Sequence, residues 1–498
     1  MSKEQVLAAM DLGASVAEHD RLLSQCFISH PILFEVVTDR KDIVLGAKGA
    51  GKSSLWKEFT GNQKSYNQIL DVSFGLVTNP AGDPEFRDIL AAIRKEDFPD
   101  DDELRVAWRL YLLAQFWRNC RDLLPDSDAK NSVKKMIAKY GIMSNEDGGL
   151  KQAFAFAVAK ARALKNVELK WVEGVAFNFD HELLKAGGSA VAIPFNELIS
   201  SINELAVNAG RRVWLILDRL DEIVLGDESR ENSVLKGLLL AYRDLSDWQN
   251  LKVKIFLRDD VFDRVTSVGG FPALTHVRSK TAGPIKWEVQ DLLHLLIRRL
   301  VENPSVAEFA KADAAAIQFK RERESAFYRL FPEKVDKGRA ADAIDWIVDR
   351  LRDGNRVATP RDLINAVDAA RVYQLEEFNR EPSSSMDGPL FYEDSIRKSV
   401  RKISKDNLET RIYAEYPDLR ASIEKFRGGK ADHNELTLAA LLGEEWASIL
   451  SQLLRIGFMY KRTRSGVDMW TIPFFFSFGL DVTRGAAFEM AGANDDED

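Results

Sequence analysis

The sequence predicts an α/β chain: a parallel-sheet core broken by a long helical insertion, then a helical lid, then a C-terminal module of winged-helix-like pattern. Three observations carry this expectation. The short apolar run Asp42-Ile43-Val44-Leu45 enters a glycine-rich loop, and Ser54 to Phe59 continues as a helix. Two continuous apolar runs, Val213–Leu217 and Val253–Leu257, have the character of strands covered on both faces, as parallel strands are. After residue 390, three helix-like stretches lead into two alternating segments around Ser465-Gly466.

At 498 residues the chain is too long for one compact core, so two or three domains are expected. Residues 1–40 read as an N-terminal helical extension packed on the next domain, with Val6, Met10, Leu22, Leu23 and Phe27 at helical spacing. The core spans 41–284, with strand candidates at 42–45, 69–77, 213–217 and 253–257. Its insertion, about 85–190, contains ELRVAWRLYLLAQFWRNCRDLL and GLKQAFAFAVAKARALK, both helical in period. These apolar faces close either on the core or on another chain, and core packing is the simpler expectation. A helical lid follows at 285–380, with helix expected over 287–300 and 340–370. The segment EPSSSMDGP reads as a linker, the winged-helix-like module as 390–485, and 486–498 as a solvated acidic tail.

Composition excludes several classes. No apolar run approaches the roughly 20 residues that cross a bilayer, and the opening MSKEQVLAAMDLGASVAEHD lacks the apolar stretch of a signal peptide. A cytoplasmic protein without a membrane partner is expected. Cys26 and Cys120 are the only cysteines, which permits no disulfide framework and no CxxC knuckle. Six histidines without HExxH argue against zinc, and no GxSxG elbow is present. A net charge of −8 opposes whole-molecule attraction to nucleic acid, so any DNA contact must come from a local patch.

The chemistry begins in the loop. Gly46, Gly49 and Gly51 allow a tight backbone whose N–H groups turn inward, and the following helix adds its positive end. Lys52 is placed to reach the β- and γ-phosphates of a nucleotide, and Ser53 to put its hydroxyl on Mg²⁺. With Ala47, Lys48 and Ala50 between them, and Ser54 in the first helical turn, these residues form the candidate ATP-binding set of a P-loop NTPase core. The second signal is RVWLILDRLDE, residues 212–222, an apolar strand ending in clustered carboxylates. Asp218 is the metal-side candidate, and Asp221 and Glu222 compete for the role of base toward the attacking water.

Two arginines complete the candidate site. Arg258 ends the strand KVKIFLR and either senses the γ-phosphate or pairs with Asp259 or Asp260. Thr359-Pro360-Arg361-Asp362 reads as a helix start with Thr359 as N-cap and Pro360 in the first position. A cation is disfavoured there, so Arg361 implies an anionic partner, either the nucleotide or a nearby acid.

The set GAKGAGKS, ILDRLDE, FLRDD, IKWEVQDLLHLLIRR and VATPRDLI, with the opening AEHDRLLSQCFI, resembles the bacterial P-loop ATPases related to the AAA+ and STAND groups, several of which sit in antiviral defence operons. The resemblance covers most of the chain. It implies Arg258 as first sensor and Arg361 as lid sensor, while the long insertion departs from the minimal pattern and leaves Arg264 and Arg278 as arginine-finger candidates. It further implies an ATP-driven, Mg²⁺-dependent switch or motor in defence signalling, acting through self-association or a separate effector. The alternatives are a DNA-remodelling or DNA-loading ATPase, and a nucleotide-gated scaffold with little turnover. In the C-terminal module DLRASIEKF, HNELTLAALLG and EEWASILSQLLRIGFM read as helices, and residues 459–464 and 469–472 as a wing. Lys461, Arg462 and Arg464 crowd its tip, where DNA-binding wings contact phosphates. In STAND-type relatives, by the resemblance, this module instead packs on the nucleotide domain.

Overall fold

The computed structural model describes residues 1–62, 73–77, 98–140, 142, 182–186, 189–218, 220, 227–267, 270–337, 341–381, 386–464 and 466–488, with backbone alone at 60, 73–77, 182–186, 189–193 and 464. The chain divides into two compact units. One comprises Ser29–Gly46 and Lys52–Ile285, the other Met1–Ile28, Ala47–Gly51 and Lys286–Asp498.

The first unit is built on a parallel sheet of five strands: β1 (Ile43–Leu45), β2 (Ser73–Val77), β5 (Arg211–Leu217), β6 (Leu251–Leu257) and β7 (Thr281–Ala282), in the order β2-β5-β6-β1-β7. Strand β5 from Val213 onward and the Ile255–Leu257 end of β6 are apolar because helices cover the sheet, and Val213 to Leu217 are 2% exposed or less. The register sets Leu45 beside Leu257 and Leu217 beside Ile255, so β1, β5 and β6 end along one edge. Gly46, Asp218 and Arg258, the residues next after each strand, therefore share that edge. Expected strand residues 69–72 lie outside the described residues.

The insertion divides in character. Asp100 caps the helix Asp101–Cys120 through a reciprocal capping box with Glu103, and Leu104, Trp108, Tyr111, Leu112 and Phe116 are buried in this unit's own core. A second helix, Asp128–Lys139, follows. The expectation of helix to about residue 190 fails at its end: Glu182–Ala186 (β3) and Ser189–Ile193 (β4) form an antiparallel hairpin. The two glycines between ELLKA and SAVAI in sequence are a two-residue hairpin signal that outweighs the helical trend upstream.

In the second unit, Val6, Leu7, Met10 and Leu12 of the N-terminal segment share a core with Leu292, Leu296 and Leu300 of helix Val289–Val301. Residues 1–28 thus pack with the lid helices, and the expected 1–40 extension ends inside the other unit. The lid continues through Pro304–Ala310, Lys320–Leu330, Ala343–Arg350 and Pro360–Arg380. The helix expected over 340–370 is interrupted between 350 and 360. There Gly354 lies against another backbone segment, where an added Cβ would meet Met459 O at 2.4 Å.

The C-terminal module opens with helix Glu393–Asn407 and carries a sheet of four strands. These are β8 (Lys430–His433), β9 (Tyr460–Arg464), β10 (Val467–Thr471) and β11 (Thr483–Ala486), in the order β11-β8-β10-β9. The two segments expected as a wing pair as the antiparallel strands β9 and β10, with Tyr460 opposite Thr471. All three expected helices are shorter than their sequence stretches, the third being helical over Trp446–Arg455. Helix replaces 418–426 only at Arg420–Glu424 after a single 3₁₀ turn, and His433 belongs to β8, so the next helix starts at Glu435 under an Asn434 cap.

Candidate functional site

In the unit that holds the sheet, the glycine loop leaves β1 with Gly46 N–H donating to Leu257 O at 3.2 Å. Helix Lys52–Gly61 begins at the far end of the loop. Lys52 Nζ reaches back to Gly46 O at 2.7 Å, so the ammonium is folded over the loop's own backbone. Ser53 donates its hydroxyl to Asp218 Oδ2 at 2.7 Å, and Asp218 is only 3% exposed. A hydroxyl and a carboxylate side by side at a helix N-terminus fit Mg²⁺, which takes one or two protein oxygens and fills the rest of its octahedron with phosphate and water. Ser54, half-buried, sits in the first turn of the helix.

Residues 47–51 belong to the other unit, and their contacts there are specific. Ala50 N–H closes a turn onto Ala47 O at 3.1 Å. Gly49 and Gly51 have φ of +84° and +105°, conformations that favour glycine. Thr359 caps helix Pro360–Arg380, accepting from Asp362 N–H at 3.2 Å, with Pro360 in the first position as expected. This helix start lies against the loop: a Cβ on Gly49 would meet Arg361 Cβ at 2.9 Å and Thr359 Oγ1 at 3.0 Å. Arg361 Nε is 3.4 Å from Ser15 O. Lys48 pairs with Glu415. Lys48 and Arg361 border a cavity of about 640 Å³ that Asn365, Tyr373, Lys402 and Arg411 help to line. Asp362, also at its edge, is fully buried; burial pushes its carboxyl above the usual range, against hydrogen bonds from Thr359 at 2.7 Å and Asn407 at 3.1 Å.

Sequence reasoning missed two contacts of this loop. Trp287 Nε1–H donates to Ala50 O at 2.8 Å, and Glu415 holds Lys48. Trp287 stood within IKWEVQ, but nothing local marks its indole as a loop ligand.

The remaining candidates divide. Arg258 forms a forked pair with Asp260, at 3.0 and 2.8 Å, close to the start of helix Asp259–Ser267. Arg264 is 6% exposed and bound to Glu231 and Asn232, so as it stands its guanidinium is occupied inside its own unit rather than offered to a neighbour. Arg278, 3.7 Å from Asp263, keeps 59% of its side chain exposed. Asp221 and Glu222 lie outside the described residues. Cys26 and Cys120 are buried, and burial pushes their thiols up to about 11 and about 12, so neither is a ready nucleophile.

In the wing, Lys461 pairs with Asp468 at 2.6 Å and Arg462 with the buried Asp432 at 2.6 Å. Among the described residues, no helix is long and apolar enough to cross a membrane.

The sequence matches no protein-family profile and no curated protein. Among solved structures, the chain is similar to the Aeropyrum pernix ORC2 protein in its ADPNP–ADP complexes. The two share 12% identity with a TM-score of 0.36, over 93% of this chain and 91% of that one.

Proposed function

We propose that this chain is a Mg²⁺-dependent ATPase, a switch or motor of the AAA+/STAND-related type that serves bacterial antiviral defence signalling together with copies of itself or a separate effector. The observation that carries the nucleotide reading is the juxtaposition of Lys52 and Ser53 at a helix start with Asp218, whose carboxylate is 2.7 Å from the Ser53 hydroxyl. Three chemically distinct groups that a nucleotide–Mg²⁺ complex requires thus meet where three parallel strands end. In this reading Lys52 exchanges its bond to Gly46 O for the β- and γ-phosphates. Ser53 and Asp218 would hold Mg²⁺, which when bound would supply positive charge against the phosphates. The base is Asp221 or Glu222, and Arg361, on a helix start that touches the loop at Gly49, is the residue that distinguishes ATP from ADP. The defence assignment rests on the motif resemblance alone.

Lys52→Ala tests the reading. A charge-assisted bond to phosphate is worth enough that its removal should weaken ATP and ADP binding roughly 10- to 100-fold. Calorimetric titration with MgATP measures this directly, and equal affinity in the two proteins would end the P-loop assignment.

A further inference from the structure

We propose that Trp287 is a positioning residue of the phosphate loop, and that its indole N–H sets the Ala50–Gly51 peptide in the orientation that offers Gly51 N–H to a phosphate. The inference rests on the nucleotide reading of this loop and adds a residue to it.

Gly51 has φ +105°, in a region open essentially to glycine, and glycine's freedom lets the peptide that precedes it turn over at little cost. Something outside the loop must therefore choose its orientation. Ala50 N–H is already committed to Ala47 O at 3.1 Å and is not available to a ligand. The Ala50 carbonyl accepts from Trp287 Nε1 at 2.8 Å. In a trans peptide the C=O and the next N–H point in opposite directions, so fixing the Ala50 oxygen toward Trp287 turns Gly51 N–H to the opposite side.

The anchor is stiff. Trp287 is half-buried and packs on the hydrophobic core of its own unit, and its ring edge lies 3.8 Å from where a Gly51 Cβ would be. Tryptophan suits the task because its donor sits on a rigid ring that is otherwise apolar. Fixing the peptide before the ligand arrives removes an ordering cost from binding. The bond is made to a ground-state loop, so it should favour ADP and ATP alike and leave the chemical step alone.

The test compares wild type with Trp287→Phe, which keeps an aromatic ring without a donor, and Trp287→His, whose five-membered ring can place an N–H at a similar distance from the backbone. A third form carries benzothienylalanine at 287, which replaces the N–H by sulfur at nearly constant shape and covers the case in which Trp287→Phe does not fold. The readouts are anisotropy of a fluorescent ADP, competition by ATP, turnover, and thermal melting of the unliganded protein. The two donor-free forms should raise the Kd of both nucleotides roughly 3- to 10-fold. In the same forms kcat and melting should be little changed, and Trp287→His should recover most of the affinity. Lys52→Ala is run alongside. If the donor-free forms bind as wild type while Lys52→Ala does not, Trp287 has no positioning role and the nucleotide reading stands. If all of them bind as wild type, the nucleotide reading fails and takes this inference with it. A fall in melting temperature without a change in Kd assigns Trp287 to packing alone.

Discussion

Gly49 tolerates no side chain, for two separate reasons. Its φ of +84° is strained for any residue with a Cβ, and that Cβ would sit 2.9 Å from Arg361 Cβ and 3.0 Å from Thr359 Oγ1. Strain of this backbone kind costs about 1–3 kcal/mol before the clash is added. Gly49→Ala should accordingly lower the urea midpoint of the unit that contains it, and a midpoint equal to wild type would show that the helix start at Thr359 is not seated on the loop. At this scale the sequence was informative only where chemistry is local. Gly46 to Ser53 is a contiguous pattern, and Asp218 stands out because an apolar strand ends on it. Trp287 and Glu415 meet the loop from 237 and 367 residues away in the chain, and no spacing rule links residues so distant.

Strands β5 and β6 were legible because a parallel strand covered on both faces must be largely apolar, but β6 carries two lysines, Lys252 and Lys254, and the second lies inside the core. Lys254 is fully buried. Its ammonium meets Asp39 at 2.6 Å and Asp42 at 2.7 Å, with Val36 O and Lys41 O each at 3.2 Å. The ring of Trp214 lies 4.6 Å away, and Tyr242 donates to Asp42 at 2.9 Å. The charge is therefore paired within the unit, and the sheet accepts it. Lys254→Met keeps the length of the side chain but leaves the buried Asp42 carboxylate without its cation, while Asp39 keeps Arg212 at 2.9 Å, so it should destabilise this unit by roughly 3–5 kcal/mol. Adding Asp42→Asn should return part of the loss. A Lys254→Met protein as resistant to urea as wild type would refute the pairing. The hairpin β3–β4 failed to be read for the opposite reason. Its strands are five residues each, and its signal in sequence is a Gly-Gly pair that a longer run of helical period upstream masked.

For the molecule as a whole, the question left by the winged-helix-like pattern is whether its wing serves DNA. Net charge is −8, so a duplex is repelled unless local cations compensate. Two of the cations, Lys461 and Arg462, are committed elsewhere. Lys461 is bound to Asp468 at 2.6 Å, and Arg462 to Asp432 at 2.6 Å. Asp432 is 4% exposed and also accepts from Thr471 at 2.7 Å. The helix Trp446–Arg455 is entered through exposed Glu444 and Glu445, which oppose phosphates where a recognition helix would first approach the groove. Wild-type protein should therefore show no submicromolar binding to duplex DNA at physiological salt in an anisotropy titration. The triple change Lys461→Ala, Arg462→Ala and Arg464→Ala should leave that result unaltered while lowering melting temperature, because the buried Asp432 loses the Arg462 cation and keeps the bond from Thr471. Were the three cations phosphate contacts, the wild type would bind tightly and the triple variant would flatten the slope of log K against log salt by about 2.7. That flattening would return the wing to DNA and make a DNA-loading ATPase the better reading of the chain.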